Sequence, residues 1–257
     1  MKLSIIIVNY QSRSYLERCL QSIFAKINNA CEFEVIVVNN GSEQELLGLA
    51  VLFPKLKIVQ NQQNFGFGQA NNVGAKIAQG EILFFLNPDT EIFSRDISIV
   101  LREFEENNNV GILGSQLLTE NKEVQEWSAG REINLLQILK NNLGQREVLD
   151  EKKQALSWVS GTAMFVRKSL FEKLNGFDER FFMYFEDVDL CTRVRKLGKT
   201  VLYFPAFSAV HYGGKSYGEK RTQKKHYYES QDYYFQKHYG KGKLGLLKIL
   251  RIITYVF

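Results

Sequence analysis

A chain of 257 residues, 45% hydrophobic and 24% charged, has enough apolar side chain for one large core or two fused small ones, which argues against a disordered chain. Cys19, Cys31 and Cys191 form no C-x-x-C pair, and their odd number predicts reduced thiols in a cytoplasmic protein rather than a disulfide framework. The net charge of +5 is uneven: residues 215–257 carry 10 Lys or Arg against 3 Asp or Glu. The basic character therefore belongs to the tail.

The first part of the chain alternates strand and helix patterns. Residues 3–8 and 35–38 are continuous apolar, β-branched runs typical of strands buried on both faces. Residues 14–26 between them have apolar side chains at helical spacing, which completes a βαβ unit. The same rhythm predicts a helix at 46–53, a strand at 57–60, a helix at 69–79 with Gly80 at its cap, and a strand at 82–86. This order predicts an α/β fold with a parallel, doubly wound sheet that binds ligands at the carboxyl ends of its strands.

The pattern is less regular from about residue 111. It predicts a strand at 158–166 and helices at 168–174 and 185–197. No Pro-rich or Ser-rich linker separates the parts, so we expect 1–110 and 111–217 to be fused around one sheet and 218–257 to form a helical tail.

An acidic turn follows the strand at 82–86. The sequence NPDT places Asp89 at the carboxyl end of a central strand, where a diphosphate and its metal would bind. Hard divalent ions commonly take one or two carboxylates and complete their shell with phosphate oxygens and water. The same four residues also make a good turn with a helix N-cap, and both interpretations stay open.

Three carboxylates fall close together in FFMYFEDVDLCTRVRKLG. On a helix, Asp189 is three residues from Glu186 and four from Arg193, which predicts a salt-bridged stripe. Asp187 points away from this stripe toward apolar neighbours, where desolvation would raise its pKa and suit it to accept a proton. The alternative is a solvated helix face, although the preceding aromatic run argues against full solvation.

Two further segments carry candidate ligands. His211, in AVHYGGKS, is a possible metal ligand beside glycines that let the backbone approach a diphosphate, or else a structural histidine. Asn39 and Asn40 end the second strand, and residues 64–72, NFGFGQANN, offer a Gly-rich turn that leads into a helix and suits a nucleotide.

The tail ends in LGLLKILRIITYVF, too short an apolar run for a bilayer, which needs roughly 20 residues. A helix there would have two faces, one with Lys241, Lys248, Arg251 and Tyr255 and the other with Leu246, Leu250, Ile253 and Phe257. It is either a peripheral anchor at the inner face of the cell membrane or an amphipathic helix packed on its own domain. We expect no nucleic-acid partner, because no recognised binding motif accompanies the charge.

Six ordered segments resemble glycosyltransferase family 2, and within it the rhamnosyltransferase-like subgroup. They extend from Leu3 to about Tyr217 and read SIIIVNYQ, VIVVNNGS, NFGFGQANNVG, FFLNPDT, SGTAMFVRKSLFEKLNGFDERFFMYFEDVDLCTRVRKLG and VHYGGKS. The resemblance implies an A-type glycosyltransferase fold. In it, a Rossmann-like nucleotide-sugar-binding half, 1–110, is joined to an acceptor-binding and catalytic half, 111–217, and the reaction is an inverting single displacement.

The resemblance also implies roles for individual residues. The D-x-D motif of the family maps onto the NPD that ends at Asp89, which makes Asp89 a metal ligand. Asn87 departs from the commoner Asp and would hydrogen-bond the donor or its ribose. The family's E-D motif maps onto Glu186 and Asp187, with Asp187 as the catalytic base and Glu186 on the donor side. His211 corresponds to a histidine that binds metal in some relatives.

The nucleotide base is expected beside the first two strands. The base-binding Asp of the V-D-N-x-S motif is replaced by Asn39, whose amide oxygen can still accept the N3–H of uracil or thymine. The resemblance also implies that the base is held near Asn9 and near the turn that contains Asn64, Gly66 and Gly68.

Together these features predict an inverting transferase that uses Mg²⁺ or Mn²⁺. It would move a sugar, with rhamnose as first choice, from a dTDP or UDP donor to a lipid-linked saccharide in cell-surface polysaccharide synthesis. The alternatives are another donor such as a UDP-hexose, a non-catalytic nucleotide-sugar-binding module, or a sugar nucleotidyltransferase. The last usually needs a Gly-rich, basic loop after the first strand, and NYQSRSYL is not one.

Overall fold

The computed structural model describes residues 2–27, 31–94, 96–142, 149, 152–213 and 220–255, which form a nine-stranded mixed sheet with helices on both faces and a separate two-stranded antiparallel sheet of residues 129–130 and 158–159. The strands are β1 (Leu3–Asn9), β2 (Phe33–Asn39), β3 (Leu56–Gln60), β4 (Ile82–Leu86), β5 (Thr90–Ile92), β6 (Val110–Leu118), β7 (Ala129–Gly130), β8 (Gln154–Ala155), β9 (Trp158–Val159), β10 (Ala163–Arg167) and β11 (Thr200–His211). The helices are α1 (Arg13–Ile27), α2 (Leu49–Leu52), α3 (Gly66–Ile77), α4 (Ser98–Glu106), α5 (Leu135–Asn142), α6 (Lys168–Lys173), α7 (Glu186–Lys196) and α8 (Lys220–Tyr255).

The main sheet has the order β3-β2-β1-β4-β10-β6-β11-β5, with β8 paired to β11. Strands β1 to β4 are parallel, β10 is antiparallel to both β4 and β6, and β11 is parallel to β6. The sheet therefore passes without interruption from the first predicted half into the second. The predicted mostly parallel, doubly wound architecture is confirmed.

The alternation of side chains along the central strands builds two apolar layers. Ile6 and Phe85 face one side of the sheet, whereas Ile5 and Phe84 face the other, and all four are fully buried. Helices α3, α6, α7 and α8 cover the first side, and α1 and α4 cover the second. Both faces are covered, which explains why these strands are apolar without alternation in the sequence.

Three expectations for local structure are wrong. The helix expected at 46–53 is a 3₁₀ turn, Glu43–Leu46, and the single turn α2, separated at Gly48, which has a left-handed φ of 82°. The strand expected at 158–166 is divided into β9 and β10 by a turn at residues 160–162. Gly80 does not cap a helix, since α3 ends at Ile77; a Cβ at Gly80 would lie 2.5 Å from the backbone nitrogen of Ser4, so this glycine lets β1 approach.

The C-terminal helix α8 is broken at Gly240, where φ is 83°. Residues 220–239 form its first arm and residues 241–255 its second. The second arm folds back along the first, because Arg251 contacts Asp232 at 2.6 Å and Lys248 contacts the same carboxylate at 3.4 Å. Leu247 is buried in the core, so the tail packs on its own domain.

The two predicted faces of the tail are only partly as expected. Arg251 is turned inward, toward Asp232, whereas Leu246 is exposed. The side chains of Ile253 and Tyr255, together with Phe257, lie outside the described residues. No helix in the described ranges is both long enough and apolar enough to cross a membrane.

Candidate active site

A cleft of about 1300 Å³ opens at the carboxyl ends of β1 and β4. It brings together most of the residues that the sequence singled out, namely Asn64, Gly66, Asn87, Asp89, Glu186, Asp187 and His211. Asn9, Asn39 and Gly68 do not line it. This is the place where a doubly wound sheet is expected to bind ligands.

Asp89 and His211 form one side of the cleft. Strand β5 is antiparallel to β11, and its first residue, Thr90, lies opposite His211 in the register, which brings Asp89 beside the imidazole. The Oδ1 atom of Asp89 lies 3.4 Å from Nε2 of His211, and Nδ1 of the same ring lies 2.9 Å from Oε1 of Gln125. Because an amide oxygen only accepts hydrogen bonds, this contact places a proton on Nδ1 and leaves Nε2, the nitrogen that carries the lone pair in the neutral ring, facing Asp89.

This arrangement fits a divalent metal held by few protein groups. Within the described ranges, no three His, Cys, Asp or Glu side chains converge on one point as a complete metal site would require. A carboxylate and an imidazole lone pair that face each other are suited to share one cation, and the Gln125 contact orients the ring as partners of metal-bound histidines do. The remaining ligands would come from diphosphate and water.

Asp187 lies in the first turn of α7 and is held by backbone groups. The N–H of Gly161 donates to its Oδ2 at 2.8 Å, and the N–H of Val188 donates to its Oδ1 at 2.7 Å. Burial raises the pKa of this carboxyl, and the two backbone hydrogen bonds offset the increase only in part. Asp187 is thus fixed in orientation and has a greater affinity for protons than a solvated aspartate.

The turn at residues 160–162 connects the two sides of the cleft. The carbonyl of Thr162 accepts a hydrogen bond at 2.8 Å from the N–H of Asn87, two residues before Asp89, while the N–H of Gly161 donates to Asp187. The hydroxyl of Ser160 bonds that of Thr162 at 2.9 Å and closes the turn. One short segment therefore fixes the spacing between the acidic turn after β4 and the carboxylate on α7.

Glu186 is a buried carboxyl beside Asp187. Burial, together with the charge of Asp187, raises its pKa well above the usual range. Its Oε2 has no hydrogen-bond partner among the described residues. The predicted salt bridge from Asp189 to Arg193 is present at 2.7 Å, but Glu186 takes no part in it.

The segment before α7 has a constrained backbone. Tyr184 and Phe185 are both left-handed, with φ of 69° and 66°, a conformation that bulky residues adopt rarely and mostly at functional sites. Gly66 lies against this segment: its φ is 79°, and a Cβ there would overlap the carbonyl oxygen of Phe182. That oxygen accepts the N–H of Phe67 at 2.9 Å. Gly66 is therefore needed for close packing of α3 against this segment.

The asparagines on the nucleotide side hold one another. Asn39 is fully buried, and its Oδ1 accepts from Asn9 at 2.9 Å and from the N–H of Gly41 at 3.2 Å. In this arrangement the amide of Asn39 lies behind the cleft wall, not in it. Asn40 lines the cleft instead, and its Nδ2 donates to Asn64 at 3.1 Å.

The other side of the cleft is aromatic. Trp127 is half exposed and has a left-handed φ of 62°. Tyr227 and Tyr228, from the first arm of α8, line the cleft as well, and the Arg251 guanidinium of the second arm lies 4.6 Å from the Tyr228 ring centroid. The tail thus supplies part of the cleft wall, which its composition alone does not reveal.

A buried charge cluster fastens this tail to α7. Asp189 is fully buried and accepts from Arg193 at 2.7 Å and from Nε2 of His238 at 2.7 Å, and Lys237 also contacts it. Burial acts to raise the pKa of Asp189, but the His238 hydrogen bond and the charges of Arg193 and Lys237 lower it on balance. The helix that carries Asp187 is therefore held by the first arm of α8.

The doubly wound sheet, with Asp89 and Asp187 in one cleft at its strand ends, defines a glycosyltransferase of the A-type fold. The family model for glycosyl transferase family 2 matches residues 4–175, and the chain belongs to this family.

Curated relatives are similar over most of the chain. "Rhamnosyltransferase WbbL" of Escherichia coli (strain K12) is 27% identical over 81% of this chain and 82% of its own length. "N-acetylglucosaminyl-diphospho-decaprenol L-rhamnosyltransferase" of Mycobacterium tuberculosis is 27% identical over 84% of this chain and 78% of its own length. The resemblance to the rhamnosyltransferase-like subgroup is confirmed.

Solved structures share the fold. GalNAc-T7 with UDP, GalNAc and Mn²⁺ superposes with a TM-score of 0.66 at 14% identity; the match covers 99% of this chain and 55% of that one. TarS 1–349 of S. aureus in complex with UDP-GlcNAc gives a TM-score of 0.60 at 22% identity, over 84% of this chain and 60% of the other. The chain thus spans somewhat over half of each of these proteins.

Proposed function

We propose that this protein is a metal-dependent, inverting hexosyltransferase that moves a sugar, rhamnose in the first instance, from a nucleoside diphosphate to a saccharide acceptor. One observation carries the proposal. Asp89 with His211, and the backbone-held carboxylate of Asp187, lie in a single cleft whose two sides are joined by the turn at 160–162.

The donor would bind along the strand ends. Its base and ribose would lie near Asn40, Asn64 and Asn87, which line the cleft, while Asn9 and Asn39 position the loops behind them. Its diphosphate would lie beside Asp89 and His211. A divalent ion, Mn²⁺ or Mg²⁺, held there would neutralise the charge that develops on the leaving nucleoside diphosphate.

Asp187 would act as the base. Its carboxylate accepts the proton of an acceptor hydroxyl as that oxygen attacks the anomeric carbon from the face opposite the diphosphate. The raised pKa supports this role because the group binds the proton more readily than a solvated aspartate. A single displacement needs only this one carboxylate at the sugar, and it inverts the anomeric configuration.

The acceptor is proposed to be a saccharide on a lipid diphosphate in polysaccharide synthesis at the inner membrane surface. The name of the M. tuberculosis relative gives its substrate as a decaprenol-linked N-acetylglucosaminyl diphosphate. The aromatic side of the cleft, with Trp127 and Tyr227, offers apolar faces against which a sugar ring packs.

A donor screen followed by product analysis tests the function. Purified enzyme with Mn²⁺ is heated with dTDP-rhamnose, UDP-glucose, UDP-GlcNAc or GDP-mannose, and the true donor is expected to raise the melting temperature most. Transfer from that donor to a synthetic lipid-linked N-acetylglucosamine should give a product of inverted anomeric configuration by NMR. A UDP-hexose as best ligand would replace rhamnose, and stabilisation with neither transfer nor donor hydrolysis would indicate a binding module.

A further inference from the structure

The second arm of α8 exposes a line of large aliphatic side chains. Leu246, Ile249 and Ile252 are exposed by 56%, 56% and 68%, whereas Leu247 on the opposite face is fully buried. Residues three apart lie on one side of a helix, so the three side chains form a single stripe. The inward face of the second arm packs into the core of the domain, whereas the three side chains of the stripe do not.

Basic residues flank this stripe. Lys241, Lys243 and Lys248 are exposed, and helical spacing puts Lys241 and Lys248 on one side of the stripe and Lys243 on the other. The second arm contains no Asp or Glu. The acidic group beside it, Asp232, is already bound by Arg251 and Lys248.

We propose that this face of the second arm docks on the surface of an anionic lipid bilayer, with the stripe in the acyl boundary and the lysines at the headgroups. An apolar stripe with lysines on both borders is the pattern of a helix that lies in the plane of a membrane interface. A second copy of the chain is the poorer occupant, because a two-fold contact through this face would bring like-charged lysines together.

The place of the stripe in α8 indicates how the cleft would be oriented toward the membrane. This step rests on the proposed function. The first arm supplies Tyr227 and Tyr228 to the cleft wall, and Arg251 of the second arm lies over the Tyr228 ring. Docking through the outward face would therefore hold the aromatic side of the cleft near the leaflet, where a lipid-linked saccharide is located. Helix α5, which packs on α8, also exposes Leu136.

Vesicle binding is tested with substitutions rather than truncation, because Lys237 and His238 hold the first arm to the domain and Arg251 holds the second arm to the first. The test variant is L246Q/I249Q/I252Q. The matched control is L47Q/V51Q/L52Q, which removes three similarly exposed aliphatic side chains at and before α2. Each protein is co-sedimented with vesicles of phosphatidylglycerol and phosphatidylcholine in equal parts, and with phosphatidylcholine alone.

We expect wild type and the control to bind the anionic vesicles, and to bind them less as the salt concentration rises. The test variant should partition onto these vesicles at least tenfold less than wild type, with an unchanged melting temperature. Equal partitioning of test variant and wild type overturns the proposal. So does sedimentation velocity that shows wild-type dimers abolished by the test variant, which would identify the stripe as an interface between copies. Transfer to a short-chain, water-soluble acceptor is measured on the same proteins; its absence in wild type would count against the proposed function and leave the vesicle result intact.

Discussion

The Nε2 atom of His211 lies 3.4 Å from Oδ1 of Asp89, and the other nitrogen of the ring is held by Gln125. The contact arises from the register of β5 against β11, which pairs residues more than a hundred positions apart in the chain. The short edge strand β5 and the long strand β11 therefore bring together two side chains that neither strand places there alone.

If His211 and Asp89 hold the metal as proposed, substitution of His211 by alanine is expected to weaken Mn²⁺ binding by at least the roughly 10–100-fold that loss of an outer-shell partner costs, because one of the two proposed ligands is lost. Calorimetric titration of Mn²⁺ in the presence of the nucleoside diphosphate measures the change. His226→Ala is the matched control: His226 also lines the cleft, but on α8, where its ring packs on Phe182. Equal Mn²⁺ affinity in wild type and His211→Ala would remove His211 from the metal site.

The pH dependence of transfer reports on Asp187. Only the ionised carboxylate accepts a proton, and burial raises its pKa, so kcat/KM is expected to fall as pH drops through that raised value. The decline should begin at a higher pH than for a solvated aspartate, whose pKa is about 4. Asp187→Asn should lower kcat/KM about 10²–10⁴-fold above that pKa, lower it by less where the wild-type carboxyl is protonated, and leave donor-induced stabilisation intact.

Glu186→Gln distinguishes the two adjacent carboxyls. Glutamine resembles the protonated acid that the raised pKa of Glu186 favours, so this variant should retain the acid limb of the profile. If the fall of kcat/KM at low pH disappears in Glu186→Gln and remains in Asp187→Asn, then Glu186 is the base and Asp187 is not.

The sheet and the acidic positions could be predicted because local pattern determines them. Buried strands such as β1 and β4 need unbroken apolar runs, and the turn after β4 must follow its last apolar residue. Asp89 and Asp187 could be placed at the ends of elements for the same reason. The ordered motifs then indicated that both belong to one site.

The remaining features depend on contacts between distant segments. The strand expected at 158–166 is interrupted because residues 160–162 bond to Asn87 and Asp187, and nothing in SGT alone requires this. Asn39 has the expected position at its strand end, but its amide is already bonded by Asn9 and Gly41. The contribution of Arg251 to the cleft wall depends on the break at Gly240, one of several glycines in a stretch that otherwise has the pattern of a helix.

Gly66 is expected to tolerate no side chain. Gly66→Ala combines a left-handed φ, which costs roughly 1–2 kcal/mol for a residue with a Cβ, with an overlap on the Phe182 carbonyl. Gly48→Ala is the matched control, since Gly48 has a similar φ of 82° and open space around it. Urea unfolding should show a clearly larger loss of stability for Gly66→Ala, together with weaker donor binding. Equal losses would show that the backbone at Phe182 moves aside at no cost.

The charge cluster around Asp189 should be a major source of stability for the tail. Asp189→Asn leaves Arg193, Lys237 and His238 around a neutral amide, and removal of one partner from a buried ionic cluster costs about 3–5 kcal/mol. Glu229→Gln is the control, because its pair with Lys225, at 3.8 Å, is exposed and worth about 0.5 kcal/mol.

The same cluster predicts a pH dependence of a definite sign. The folded pKa of Asp189 is lowered, so its contribution is present above the unfolded pKa, about 4, and is lost as pH falls through the folded value. The difference in unfolding free energy between wild type and Asp189→Asn should therefore be largest near pH 7 and shrink below about pH 4. Urea unfolding at both pH values measures it. A difference at pH 7 no larger than that of Glu229→Gln would mean that the Asp189 cluster contributes little to holding α8 on α7.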